Sequence, residues 1–254
     1  MVAIKASTNS EALGRENYNY DRIAKGRHAS RFVTKHEFLT RWGGPTFAAA
    51  NALVLERGER DLKTVLAERE GRGLEGRAMR DAAHAAALCV QAVHSAKMVW
   101  TDLKPENFVT TSESIGADPG EGLQGVKGID LESAIPVGEN PVDYSPEACP
   151  PEFAEAFQEG RALEFVLEYN YDAWSLGMLL YELATGKPYF VAETAEQITE
   201  ALAAPDFKAD VREVEGKMLR NLIGKCLQKK PGRRPSISEI LLHPYFITTG
   251  MGFF

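Results

Sequence analysis

The sequence predicts an α+β fold in which a short strand-rich part leads into a longer, mostly helical one. Apolar runs of strand length, at Phe32-Val33, Phe38-Leu39 and Ala52-Leu53-Val54-Leu55, fall before about residue 56. From about residue 61 onward the apolar residues recur at helical spacing, as in Arg77 to His94 and Tyr171 to Ala184. Strands thus fall mainly in the first part and helices mainly in the second. A third feature interrupts the helical part. Residues Val99 to Phe108 place an acid, a cation and an amide (Asp102, Lys104 and Asn107) on one short polar loop between apolar anchors.

The composition suits such a fold and narrows its partners. At 254 residues, with 44% hydrophobic and 26% charged, the chain can bury a sizeable core. A net charge of -7 and a pI near 5.4 weigh against nucleic acid as a main partner. No apolar run approaches the roughly 18 residues of a membrane span, and the first residues lack a signal-peptide pattern. The expectation is an intracellular, cytoplasmic protein with no membrane partner. Cys89, Cys149 and Cys226 are far apart and share no metal-ligand spacing, so they read as reduced, buried thiols.

The polar loop carries the chemistry. Pro105 pins its backbone and forbids a continuous helix. An Asp can take a proton from a hydroxyl, a Lys can neutralise a phosphoryl oxygen, and an Asn carbonyl can bind a hard cation such as Mg²⁺. A turn with solvated charges would use the same residue types, so the surroundings must decide. Asp102-Leu103-Lys104-Pro105-Glu106-Asn107 resembles the catalytic loop of the eukaryotic protein kinases in its serine/threonine form. The resemblance runs from Lys5 to Phe246, with its pieces in the family's order. It implies a bilobal protein-kinase-like fold: a small lobe over about 1–56, a hinge over about 56–60 and a large lobe over about 61–254. It also implies transfer of the ATP γ-phosphate to a Ser or Thr hydroxyl of a protein substrate, with ATP and Mg²⁺ bound. Asp102 would accept the hydroxyl proton, Lys104 would stabilise the transferring phosphoryl, and Asn107 with Asp130 would hold Mg²⁺.

In chain order, Val2-Ala3-Ile4-Lys5 resembles the small-lobe strand whose Lys pairs with the α- and β-phosphates of ATP. The family has two strands and a glycine-rich phosphate-covering loop before that Lys, and here four residues precede it. The expectation is a truncated small lobe. A kinase-like binding or scaffolding protein without turnover, a pseudokinase, then stands as the alternative to an enzyme. From about Ser10 to Arg27 the chain is helix-like, with Glu16, Tyr20, Ile23 and Ala24 at helical spacing. Glu16 is the expected ion-pair partner of Lys5, with Glu11 and Asp21 as rivals. Gly43-Gly44-Pro45 marks a turn. Ala52 to Gly58 reads as a buried strand with a polar end. On the family pattern Leu55 limits the back of the adenine pocket and the backbone of Glu56 to Gly58 hydrogen-bonds adenine. Asp61 would reach the ribose, and Val109 completes the nucleotide-binding set.

Asp61-Leu62 opens a helix to about Arg69. The next residues, Gly71-Arg72-Gly73-Leu74-Glu75-Gly76, carry the letters of a dinucleotide fingerprint. That fingerprint needs a buried strand directly before it and a βαβ unit around it. A helical pattern precedes it here, so the segment reads as an interhelix connection.

Beyond the long alanine-rich helix, Trp100-Thr101-Asp102 departs from the family's His-Arg-Asp. The family Arg binds a phosphate on the activation segment, so Thr101 implies that this switch is missing. Ser112 to Gly125 reads as a lengthened, mobile hairpin tip, and Val126 to Asp130 returns as a strand. Asp130-Leu131-Glu132 stands where the family has Asp-Phe-Gly, and Glu132 restricts backbone that glycine would leave free. Tyr144 to Glu152 matches Gly-Thr-Pro-Glu-x-x-Ala-Pro-Glu in length and in its Pro-Glu pairs. Ser145 takes the place of the Thr that hydrogen-bonds the catalytic Asp and Lys, and Glu152 is expected to pair with Arg234. Asp172 is expected to cap its apolar helix and to fix the backbone of the Asp102 loop. Ile198 to Ala204, Lys217 to Gln228 and Ser236 to His243 complete the helical part.

Overall fold

The most apolar of the early strands takes the middle of the sheet. In the computed structural model, which describes residues 1–42, 50–111, 122, 123, 125–142 and 144–247, Ala50–Glu56 forms the central strand β3. β1 (Val2–Ser7) and β2 (Lys35–Trp42) pair antiparallel on either side of it, in the order β1-β3-β2. Lys5 and Phe38 both stand opposite Leu53, which is fully buried. One face of this sheet is covered by helix α1 (Ser10–Ala24), whose first turn is capped by the Asn9 side chain accepting from the Ala12 amide at 3.1 Å. Its buried stripe is Leu13, Glu16, Tyr20 and Ile23, at the spacing a helix needs to present one face. The helix stops at Ala24, short of the expected Arg27, where the Gly26 amide turns back to the Ile23 carbonyl. Phe32-Val33 is not a strand of its own: Phe32 makes one isolated bridge to Gly128, and its ring packs 5.2 Å from that of Trp100.

The helical part is organised by two buried helices. α3 (Gly76–Ser95), which follows the short α2 (Leu62–Glu68), packs an alanine face against α5 (Tyr169–Thr185). Small side chains on α3 allow close approach, and the apolar α5 is enclosed along most of its length. The segment from Gly71 to Gly76 joins α2 to α3, as the rejected fingerprint implied. Gly71 has φ 77°, and a Cβ on Gly73 would strike the Ala184 carbonyl, so glycine is required there for packing rather than for phosphate binding. α4 (Pro151–Gln158), α6 (Ala195–Ala203), α7 (Lys217–Cys226), α8 (Ile237–Leu241) and α9 (Pro244–Ile247) surround this core.

Two miniature ladders position the polar loop between the two parts. β4 (Met98–Val99) pairs with β7 (Ile135–Pro136), and β5 (Phe108–Val109) pairs with β6 (Lys127–Gly128). They bracket the Asp102 loop and set it beside the segment that starts at Asp130. The result is the expected two-lobed α+β architecture. The turn expected at Gly43 to Pro45 and most of the hairpin tip expected at Ser112 to Gly125 lie outside the described residues. Among the described residues no helix is long and apolar enough to cross a membrane. All three cysteines are buried and free, and burial pushes the Cys89 thiol up to about 12.

Candidate functional site

The sheet and the helical part enclose a cleft of about 600 Å³. Ala3, Val33, Leu55, Val109 and Ile129 give it apolar walls, and Lys5, Glu16 and Asp130 give it a charged end. Every residue expected to bind nucleotide lines it: Lys5, Glu16, Leu55, Glu56, Gly58, Asp61 and Val109. The Val109 side chain lies directly on Gly58, where an added Cβ would come within 2.5 Å of it. Gly58 is therefore fixed by packing on Val109. Two of the expected polar contacts are differently committed. The Glu56 amide donates to the Thr34 carbonyl at 2.7 Å, so it is not free for a ligand, and the Glu56 carboxylate is held by Lys127 at 2.7 and 2.8 Å. Asp61 is the N-cap of α2, accepting from the Thr64 amide at 2.7 Å and the Thr64 hydroxyl at 2.9 Å.

At the charged end, Lys5 Nζ lies 2.8 Å from Glu16 Oε2 and 3.0 Å from Asp130 Oδ1. Of the three acids considered for Lys5, Glu16 is the one on the buried stripe. Glu11 is exposed, and Asp21 pairs with Lys35 at 2.6 Å. Burial works to lower the Lys5 pKa, but Glu16 and Asp130 overcome it and hold the ammonium well above its ordinary range. Burial also pushes Glu16 up to about 6, against the pull of Lys5.

The polar loop is a network around Asp102. Its Oδ2 lies 2.7 Å from Lys104 Nζ and accepts from Asn107 Nδ2 at 3.1 Å. Its Oδ1 accepts the Ser145 hydroxyl at 2.6 Å, the Asp half of the contact expected of that position. Asn107 Nδ2 also donates to the Asp102 carbonyl at 2.8 Å. Burial alone would lower the Lys104 pKa; Asp102 raises it above the ordinary value. The loop backbone is held from below by the fully buried Asp172. That carboxylate accepts from the Trp100 amide at 2.8 Å and the Thr101 amide at 3.0 Å, and lies 2.9 Å from His94 Nε2. Thr101 and Asp130 both sit in the left-handed region, with φ 64° and 60°. Trp100, fully buried between Phe32 and Phe108, donates from its indole to the Asp130 carbonyl at 2.9 Å, which ties the two loops together.

Sequence reasoning missed the grip of α1 on the segment after Asp130. Asn19 Nδ2 donates to the Leu131 carbonyl at 2.9 Å and to the Ala134 carbonyl at 2.8 Å, and Arg15 Nε donates to the Glu132 carbonyl at 2.8 Å. The signal was a polar residue next to the buried stripe of an amphipathic helix. Asn19→Ala would leave the Ala134 carbonyl without its donor and the Leu131 carbonyl with only the Ala134 amide at 3.2 Å, so a stability loss of about 1–3 kcal/mol is expected in urea denaturation. A loss within a few tenths of a kcal/mol would show that water replaces the amide. Glu152 and Arg234 meet as expected, in a bidentate pair with both contacts at 2.6 Å.

Comparison with known proteins agrees with this geometry. The family model of the protein kinase domain matches residues 1–246, and the chain belongs to that family. It is 28% identical over 220 residues to the serine/threonine-protein kinase MPS1 of Saccharomyces cerevisiae, covering 77% of this chain and 27% of that protein. It is 32% identical over 184 residues to calcium-dependent protein kinase 25 of Arabidopsis thaliana, covering 67% of this chain and 32% of that one. A third relative, calcium-dependent protein kinase 4 of the same plant, is 32% identical over 166 residues, covering 62% of this chain and 30% of that one. The matched region is thus under a third of the length of each of these relatives.

Proposed function

We propose that the chain is a serine/threonine protein kinase that transfers the ATP γ-phosphate to a protein hydroxyl. The observation that carries this is the environment of Asp102, whose Oδ1 already receives a serine hydroxyl at 2.6 Å while Oδ2 faces an ammonium at 2.7 Å. A substrate Ser or Thr hydroxyl presented in the same way would lose its proton to Asp102 as its oxygen attacks the γ-phosphorus. Lys104 would steady the negative charge on the transferring group. Adenine would lie between Leu55 and Val109, against the backbone of Arg57 and Gly58, with Asp61 at the ribose edge. Lys5, oriented by Glu16, would meet the α- and β-phosphates.

The donor set fits a hard cation. Asp130 offers a carboxylate, and Asn107 turns its nitrogen to Asp102, which leaves its carbonyl oxygen as the ligand atom. The two elements are joined by the Ile129 amide donating to the main-chain carbonyl of Asn107 at 2.9 Å. Mg²⁺ held there would neutralise phosphate charge. Three buried free thiols fit a reducing compartment such as the cytoplasm.

Mg-ATP at a hundredfold excess over its dissociation constant is expected to raise the melting temperature by roughly 5–10 °C, the equivalent of about 2.7 kcal/mol. Asp130→Ala is expected to abolish that shift, and a shift that survives it would defeat the metal site. Labelled ATP should also place phosphate on Ser or Thr of a generic protein substrate. The second reading, a kinase-like binding protein without turnover, is favoured by one observation: Glu132 also contacts Lys5, at 3.2 Å. A Mg-ATP shift without any phosphate transfer would select it.

A further inference from the structure

The position where the family has glycine is not idle in this chain. Glu132 turns back past Asp130 and sets Oε2 3.2 Å from Lys5 Nζ. Lys5 is therefore enclosed by three carboxylates, Glu16, Asp130 and Glu132, whose facing oxygens all lie within 4.8 Å of one another. The three differ in what else they do. Glu16 is fully buried on α1, and Asp130 lines the cleft. Glu132 is the member outside the cleft lining; its side chain is 37% exposed, much as Asp130 is at 36%, beside a Lys5 side chain that is 33% exposed. Its backbone is pinned by Arg15 Nε on its carbonyl at 2.8 Å, so the carboxylate is delivered to Lys5 by a fixed main chain.

The electrostatic consequence is direct. Three carboxylates surround the one ammonium, with the Arg15 guanidinium turned to the Glu132 carbonyl, and a phosphate group approaching Lys5 meets carboxylate charge at close range. The phosphate must also displace an acid already paired with the ammonium. Cation charge brought in with the nucleotide offsets both effects.

We propose that Glu132 is a positioning residue that holds the Lys5 ammonium against incoming phosphates and so makes nucleotide binding conditional on a divalent cation. The proposal rests on the reading that the cleft takes nucleotide phosphates at Lys5. Removing this one carboxylate frees a share of the ammonium for phosphate without touching Asp130, Asn107 or the apolar walls.

The test is the affinity for a fluorescent ADP analogue, N-methylanthraniloyl-ADP, measured in Mg²⁺ and in EDTA. Wild type, Glu132→Gln and Glu132→Asp are compared, with folding checked by thermal melting. Glu132→Gln is expected to tighten metal-free binding by about tenfold, the scale of one partly screened charge contact. The gap between the two conditions should narrow accordingly, and Glu132→Asp should stay near wild type because it keeps the charge. A merely structural role would weaken both conditions together. Unchanged metal-free affinity in Glu132→Gln, with wild type binding normally in Mg²⁺, overturns the proposal and leaves the nucleotide reading standing. Weaker binding of Glu132→Gln in Mg²⁺ alone also overturns it, since it would make Glu132 a ligand of the cation. If no variant binds in Mg²⁺, the nucleotide reading itself fails and takes the proposal with it.

Discussion

Asp102→Asn is expected to lower phosphate transfer to protein by about 10²–10⁴-fold while the fold and nucleotide binding persist. Asparagine has the same shape, so the carbonyl that faces the Ser145 hydroxyl, now 2.6 Å from Oδ1, can remain an acceptor. What disappears is the basicity needed to take a proton, together with the negative partner of Lys104 at 2.7 Å. The turnover number at saturating Mg-ATP is the quantity to measure, and the Mg-ATP melting shift is the control for an intact cleft. A drop smaller than about tenfold would show that the proton leaves by another route, because positioned bases contribute far more than that.

Glu152→Ala is expected to destabilise the fold by about 3–5 kcal/mol, the penalty of stranding a buried charge. The Arg234 side chain is fully enclosed. It takes two carboxylate contacts at 2.6 Å from Glu152 and donates to the carbonyls of Gln228, Lys229 and Asn170. Its guanidinium also lies 5.1 Å from the centre of the Trp174 ring. Without Glu152 the backbone acceptors remain but the counter-charge is gone. Urea denaturation measures the change, and a matching fall in melting temperature of roughly 10 °C is expected for a chain of this size. A loss under about 1 kcal/mol would place the pair in solvent-like surroundings.

The long-period elements of the fold were legible because each is written in its own stretch of chain. α3 and α5 follow from apolar spacing, and Asp61 opens and caps its helix, whereas Asp172, expected to cap α5, lies inside its first turn after Glu168 and only clamps the Asp102 loop. Glu16 was legible too: positions 13, 16, 20 and 23 form one buried stripe, and Glu16 is the lone acid in it. What stayed hidden depends on distant segments meeting. Lys5 is separated by 127 residues from Glu132, and Asn19 by 112 from Leu131. No local pattern announces either contact. The same holds for Glu56, whose amide is claimed by Thr34. Phe32-Val33 had strand composition, but the neighbour it meets is a single residue, Gly128, so only a bridge forms.

The left-handed backbone at Thr101 and Asp130 has a consequence for how the two loops behave. Neither residue is glycine, and Thr is β-branched, so each conformation costs about 1–3 kcal/mol locally. Asp172 holds the first of them through the Thr101 amide, and the Trp100 indole holds the carbonyl of the second. Because the Trp100 amide also rests on Asp172, the two kinks share a common anchor. Through Trp100, strain at either kink bears on the same buried carboxylate.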